Sequence, residues 1–216
     1  MDLFERVKED FEREESTAEL SFNLGDAWTG AVLLGQRADN NDVVVGVIDW
    51  EFAGFSRGLA GDIAQLLAHF HLSLLSAAAA GSSLYEILRA LISSLTTTYR
   101  EISVRNGSLW TKLGTSTVVD ENALAMKAMR STLLLYGREM INNSIERGWS
   151  CSCCESRQIE DCDLRKLMVE KGVWCLRSAG PHQQAFKESI GRDAWKMEDS
   201  ALSGLFNDIF EPELQV

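Results

Sequence analysis

Apolar positions recur at helical spacing along most of this chain, and depart from that rhythm only near its front. Leu3, Phe4, Val7 and Phe11 fall three to four residues apart among Glu, Lys, Arg and Asp, which predicts a leading helix. The periodicity lapses at Glu14-Glu15-Ser16-Thr17. Leu20-Ser21-Phe22 then leads into Asn23-Leu24-Gly25-Asp26. Two short apolar runs come next, Ala31-Val32-Leu33-Leu34 and Val43-Val44-Val45-Gly46-Val47-Ile48. Between them Gly35 to Asp42 holds the turn formers Gly35, Asp39, Asn40, Asn41 and Asp42, so the pair predicts a β-hairpin with a longer loop. The second run ends in Asp49-Trp50-Glu51, and a loop punctuated by Gly54, Gly58 and Gly61 follows.

Beyond Gly61 the pattern is helical. Asp62 is placed to cap a helix over Ile63–Ala80, and Gly81 to stop it. Ser83 and Glu86 form a capping-box pattern ahead of Ile87, Leu88, Leu91, Ile92, Leu95 and Tyr99. A loop near Gly107–Thr117 precedes a helix with Met126, Met129, Leu133, Tyr136 and Met140 on one face. A cysteine-bearing loop leads to a helix containing Leu164, Leu167, Met168 and Trp174, and a last helical stretch covers about Glu198 to Phe210. The expected fold class is α+β and mostly helical, one hairpin near the front backed by a helical bundle.

Composition narrows the function classes. The 216 residues suffice for one sizeable core without staples. Acidic residues outnumber basic ones 32 to 21, a net charge of −11, which repels nucleic-acid phosphates and anionic lipid surfaces. The N-terminus is charged from Asp2 and lacks the apolar core of a signal peptide. The most apolar stretch, Ile63 to Gly81, carries Gln65, His69, His71 and Ser73 and reads as a buried core helix rather than a membrane span. Five cysteines, an odd number and mostly clustered, do not look like a secreted disulfide framework, so a reducing, cytoplasmic setting is expected. Cys151, Cys153, Cys154 and Cys162 could in principle close a zinc site. Their spacing lacks paired Cys-x2-Cys knuckles, and thiols in a loop are the preferred reading. His69 and His71 lie two apart on one helix, point to different faces and cannot share a metal.

The feature that carries chemistry is a pair of aspartates flanking the hairpin. Asp26 precedes the first strand and Asp49 ends the second, so an antiparallel hairpin returns both carboxylates to one end. One carboxylate can orient and deprotonate a hydroxyl while the other holds magnesium on a polyphosphate. Glycines beside them, Gly25, Gly30 and Gly54, permit tight loops and close ligand approach.

These residues resemble the aminoglycoside phosphotransferase and choline-kinase-like family of the protein-kinase-like fold. The family pattern runs from His-Gly-Asp to Asn, then strand, turn, strand and Ile-Asp-Trp or Ile-Asp-Phe. Here the chain reads Leu24-Gly25-Asp26-Ala27-Trp28-Thr29-Gly30-Ala31 and later Gly46-Val47-Ile48-Asp49-Trp50-Glu51-Phe52. Gly61-Asp62-Ile63-Ala64 is similar to the family's Asp-Leu-Ala helix start, and the region around Tyr136-Gly137-Arg138-Glu139 and Asn142-Asn143 is weakly similar to fungal members. The resemblance implies Asp26 as catalytic base, Asp49 as magnesium ligand and Asp62 as structural support of the catalytic loop. It implies ATP and Mg2+ as cofactors and a small-molecule hydroxyl as substrate. Acidic residues of the helical part would suit a cationic one.

Two departures weaken that picture. Leu24 stands where the family has histidine, and Ala31 stands where an asparagine supplies a second magnesium contact. Only Lys8 precedes Asp26 as a lysine, and no Gly-x-x-x-x-Gly-Lys phosphate loop occurs. The chain therefore reads as a C-terminal lobe over residues 1–216, with a leading helix at 1–19, the catalytic loop and hairpin at 20–60 and a helical subdomain at 61–216. The nucleotide-binding lobe is absent from this reading. Reduced or no activity alone is expected, and a non-catalytic, pseudokinase-like interaction module is the alternative. Self-association through the surface left by the missing lobe is a further expectation.

Overall fold

The computed structural model describes Glu5, Lys8 and residues 22–55, 61–106, 119–146, 162–180 and 202–206. Within them the molecule is α+β and mostly helical. β1 (Phe22–Asn23) pairs antiparallel with β4 (Gly54–Phe55). Between these lies the hairpin of β2 (Val32–Gln36) and β3 (Val43–Val47), paired Val32↔Val47 through Gln36↔Val43. The helices are α1 (Gly61–Ala79), α2 (Leu84–Arg105), α3 (Val119–Glu146), α4 (Asp163–Ser178) and the short α5 (Ser203–Phe206). Apart from Glu5 and Lys8, the leading helix at 1–19 lies outside the described residues, as do the loop near Gly107–Thr117, Cys151, Cys153, Cys154, His182, the acidic residues between Glu9 and Glu15 and most of the Glu198–Phe210 stretch. No helix among the described residues is long and apolar enough to cross a membrane.

The core is built around α1, whose Ile63, Ala64, Leu67, Ala68, Leu72, Leu74 and Leu75 are all buried. A helix apolar on nearly every side must be wrapped by others, and α1 packs against α2, α3 and α4. The α3 face supplies Met129, Leu133, Tyr136 and Met140, and α4 adds Leu164, Met168, Cys175 and Leu176. The α3–α4 crossing is set by two glycines. A Cβ at Gly137 would stand 2.7 Å from the Gly172 carbonyl oxygen, and one at Gly172 equally close to that of Gly137. Backbone therefore meets backbone at that point, and no larger residue fits.

Polar groups in this core are mostly paired. Arg130 donates from Nε to the Ala179 carbonyl (3.0 Å) and from Nη2 to that of Gly180 (3.1 Å), capping the C-terminal end of α4. Glu139 is buried and accepts from Arg138 Nε (3.1 Å) and Asn143 Nδ2 (3.1 Å). His71 Nδ1 meets the Tyr136 hydroxyl, and both side chains are fully buried. Burial, reinforced by the charge of Lys171, lowers the His71 pKa to about 3. Burial likewise pushes the Cys175 thiol up to about 12.

One cap differs from expectation. The α2 start uses Ser82, whose Oγ accepts from the Leu84 N–H at 3.2 Å, rather than Ser83. Glu86 faces solvent, 3.7 Å from Arg89, instead of closing a capping box. The chain leaves α1 through Gly81 at φ 59°, so the turn delivers Ser82 to the capping position one residue early.

Candidate functional site at the base of the hairpin

The loop carrying Asp26 is fixed from both sides. After β1 the chain turns at Gly25, whose φ is 85°. A Cβ there would lie 2.2 Å from the Phe52 carbonyl oxygen, so this position demands glycine twice over. The amides on either side of the turn are held by α1. Asp62 Oδ2 accepts from the Leu24 N–H at 2.7 Å and Oδ1 from the Gly25 N–H at 3.1 Å. One helical turn on, Gln65 Oε1 accepts from the Ala27 N–H at 3.4 Å. Asp62 thus lies inside the first turn of α1, and its carboxylate bridges the helix to the loop rather than serving as the helix's own cap. Its charge also suits the positive end of the helix dipole.

Asp26 itself is half-buried. Its carbonyl accepts from the Trp28 N–H at 3.2 Å, and the Trp28 carbonyl accepts from the Ala31 N–H at 3.0 Å, coiling the loop into the 3-10 turn Thr29–Ala31. The Trp28 ring lies against Gly30, where any Cβ would come within 2.2 Å of it. From that position the indole Nε1 donates to Asp49 Oδ2 at 3.3 Å. The hairpin ladder continues one step below its strands, with the Ile48 N–H donating to the Ala31 carbonyl at 2.9 Å. Asp49 therefore emerges beside the loop that holds Asp26, joined to it through Trp28.

Asp49 is exposed and left-handed, at φ 62° and ψ 49°. Asp tolerates this region better than most residues, yet it still costs on the order of 1 kcal/mol. Trp50 locks the turn: its indole donates to the Val47 carbonyl at 2.8 Å, and its ring stacks on Phe22 with centroids 6.4 Å apart. Such backbone strain persists only where the surroundings over-determine it, and it gathers at sites of function.

The two positions where the chain departs from the family pattern are packed rather than solvated. Leu24, Ala27 and Ala31 form a small buried cluster against Trp28 and Leu66. Ala31 is wholly inaccessible, so no side-chain oxygen faces Asp49 from that position. Among the described residues no group of three or more His, Cys, Asp or Glu side chains is gathered for a metal ion. Cys162 is buried at the N-terminal end of α4.

Sequence reasoning overlooked Trp28 and Gln65. Trp28 lies two residues past Asp26 in a loop otherwise built of small residues, and an aromatic there was the available signal. Gln65 lies three residues after Asp62, on the same face of α1, and that spacing was equally visible. No protein-family model matches the chain, and no curated protein matches it.

Proposed function

We propose that residues 22–55, together with the start of α1, form a phosphotransferase-like site for ATP-dependent transfer to a small-molecule hydroxyl, within a protein-kinase-like lobe. The observation that carries this reading is the left-handed Asp49, hydrogen-bonded by Trp28 to the loop of Asp26 while Asp62 clamps that loop to α1. The arrangement supplies two carboxylates at one end of a hairpin, one half-buried and one exposed. In this reading Asp26 takes the proton of the attacking hydroxyl. Asp49 anchors a magnesium ion, and Asp62 and Trp28 hold both in register.

The donor set fits a metal carried in on a polyphosphate, not one resident in the protein. Magnesium keeps several waters and needs only one or two carboxylates when phosphates supply the rest. Asp49 offers one carboxylate, and Ala31 withholds a second ligand, so weak affinity and slow turnover are expected. Magnesium-ATP supplies the transferable phosphoryl group when bound; positioning and charge neutralisation are the protein's share.

A second reading, a non-catalytic interaction module, is favoured by one observation. Leu24 and Ala31 have turned two polar positions of the loop into core. A thermal melt in millimolar ATP with magnesium separates the two. A rise in Tm that vanishes in Asp49→Ala supports the nucleotide site. No rise in the wild-type chain overturns it and leaves the interaction module. Acceptor screening with labelled ATP then tests transfer, with Asp26→Asn as the inactive control.

A further inference from the structure

Among the described residues the hairpin and its foot carry the densest run of large apolar side chains that face solvent. Leu33, Leu34, Val43, Val44, Val45 and Val47 are all exposed, Leu34 at 75% and Val43 at 71%, and Trp50, Phe52 and Phe22 extend the patch below them. With Ile48 these are ten residues 39–75% exposed, on the order of 1,000 Å² in total over the two faces and the foot of the hairpin, where the largest single patch on a typical monomer is about 300–600 Å².

The edge of β3 shows which partner fits. At the two ends of the ladder the Arg37 N–H donates to the Asp42 carbonyl and the Ile48 N–H to the Ala31 carbonyl, each at 2.9 Å. With the observed register, antiparallel alternation turns the N–H and C=O groups of Val44 and Gly46 toward β2. Those of Val43, Val45 and Val47 point away from it. The outward carbonyl of Val47 is already taken by the Trp50 indole. That leaves the N–H and C=O groups of Val43 and Val45, with the Val47 N–H, on an open edge, since β2 and β3 alone make up their sheet among the described residues.

Edge strands of monomeric proteins are guarded by charge, proline or a bulge. Val43-Val44-Val45-Gly46-Val47 has no charge and no proline, and the paired register shows no bulge. An isolated two-stranded hairpin is marginal in water until further strands join it or a helix packs on it.

We infer that β3 is the interface to a second copy of this chain, the two strands pairing antiparallel about a two-fold axis at Val44. Val43 of each copy then faces Val45 of the other, and four backbone hydrogen bonds form. Two hairpins become one four-stranded sheet. A second copy suits the edge because an isologous contact needs a self-complementary strand, and this one is uniform. An uncharged strand also lets two chains of net charge −11 meet without like charges on the strand itself. The β2 edge fits less well, ending in Gly35-Gln36 with the Gln36 amide donating to the Asn41 carbonyl. This inference stands on the hairpin alone and is independent of nucleotide chemistry.

Sedimentation equilibrium across a wide concentration range, with amide hydrogen exchange at its two ends, tests the inference. The expected result is a reversible monomer–dimer equilibrium, with the Val43 and Val45 amides exchanging at least ~10-fold more slowly at the high end. Val45→Lys, whose own N–H faces away from β2, is expected to stay monomeric with an unchanged circular-dichroism spectrum. A wild-type chain that is monomeric throughout would sink the idea. So would dimers in which the two amides gain no protection, and so would growth past the dimer into open-ended assemblies. The exchange measurement needs no variant, so it decides even if Val45→Lys folds poorly.

Discussion

The helical core and the hairpin are made of the same kinds of residue and treat them in opposite ways. In α1 and α3, Leu67, Leu72, Met129 and Met140 are withdrawn completely from water. In β2 and β3, leucine and valine stand in it. α1 and α3 bury their apolar side chains against neighbours that the same fold provides. The hairpin is apolar on both faces, with Leu34, Val43 and Val45 on one and Leu33 and Val44 on the other. The contrast separates what holds the molecule together from what it presents outward. The candidate site lies where the two regions join, at Asp62 of α1 and Asp49 at the foot of β3.

The largest effect should come from the core. Gly137→Val places side-chain carbons against the Gly172 carbonyl and Cys175, where even one Cβ stands under 3 Å from both. Neither backbone can retreat without prising α3 from α4. A loss of about 3 kcal/mol or more is expected, read from the urea midpoint. A loss below about 1 kcal/mol would mean that the crossing is slack and the contrast between the regions overdrawn.

Acidification should also act on the core. His71 is held neutral, its pKa lowered from 6.5 to about 3 by burial and then by Lys171. Between those values the unfolded chain binds a proton that the folded chain refuses, so stability falls as pH drops below about 6.5. The contribution is unaffected above that pH. About 2 kcal/mol should be lost by pH 5. Comparing unfolding of the wild type and His71→Phe at pH 7.5 and pH 5 checks this, because the variant should lack that part of the pH dependence. Equal slopes in the two proteins would count against a neutral, buried His71.

The junction should respond on an intermediate scale. Asp62→Ala leaves the Leu24 and Gly25 amides without their acceptor, at a cost of about 1–3 kcal/mol. Exchange at those two amides should quicken before the α1 amides do. If it does not, the loop is held by Gln65 and Gly25 packing, and Asp62 is not the bridge between the regions.

These differences bear on what the sequence can reveal. The helical register of α1, the hairpin and the stripe Met129–Leu133–Tyr136–Met140 arise from local periodicity, and each is present in the structure. The partners of the candidate site do not. Asp62 reaches back 38 residues to Leu24, and Trp28 reaches forward 21 to Asp49. Gly137 and Gly172 meet only because two helices cross. Such contacts depend on how elements dock, and a period of 3.6 or 2 carries no information on that. Exposure of the hairpin was equally hidden, because an uninterrupted run such as Val43–Ile48 normally marks a strand covered on both faces.

The smallest effect is the sharpest test of the contrast. Leu34→Ser removes an isobutyl group that is three-quarters exposed, so little water-excluded area is lost. Its cross-strand neighbour Val45 shares no backbone hydrogen bond with it, so the ladder is left as it is. In a dilute, monomeric sample the unfolding free energy should move by no more than about 0.5 kcal/mol. A comparable truncation at Leu67, fully buried in α1, removes contacts on every side and leaves a cavity, for a loss of about 2–5 kcal/mol. If Leu34→Ser cost as much as Leu67→Ala, something within the monomer would have to cover the hairpin. The open β3 edge would then be an inner surface, and the division between a buried core and an outward-facing hairpin would fail.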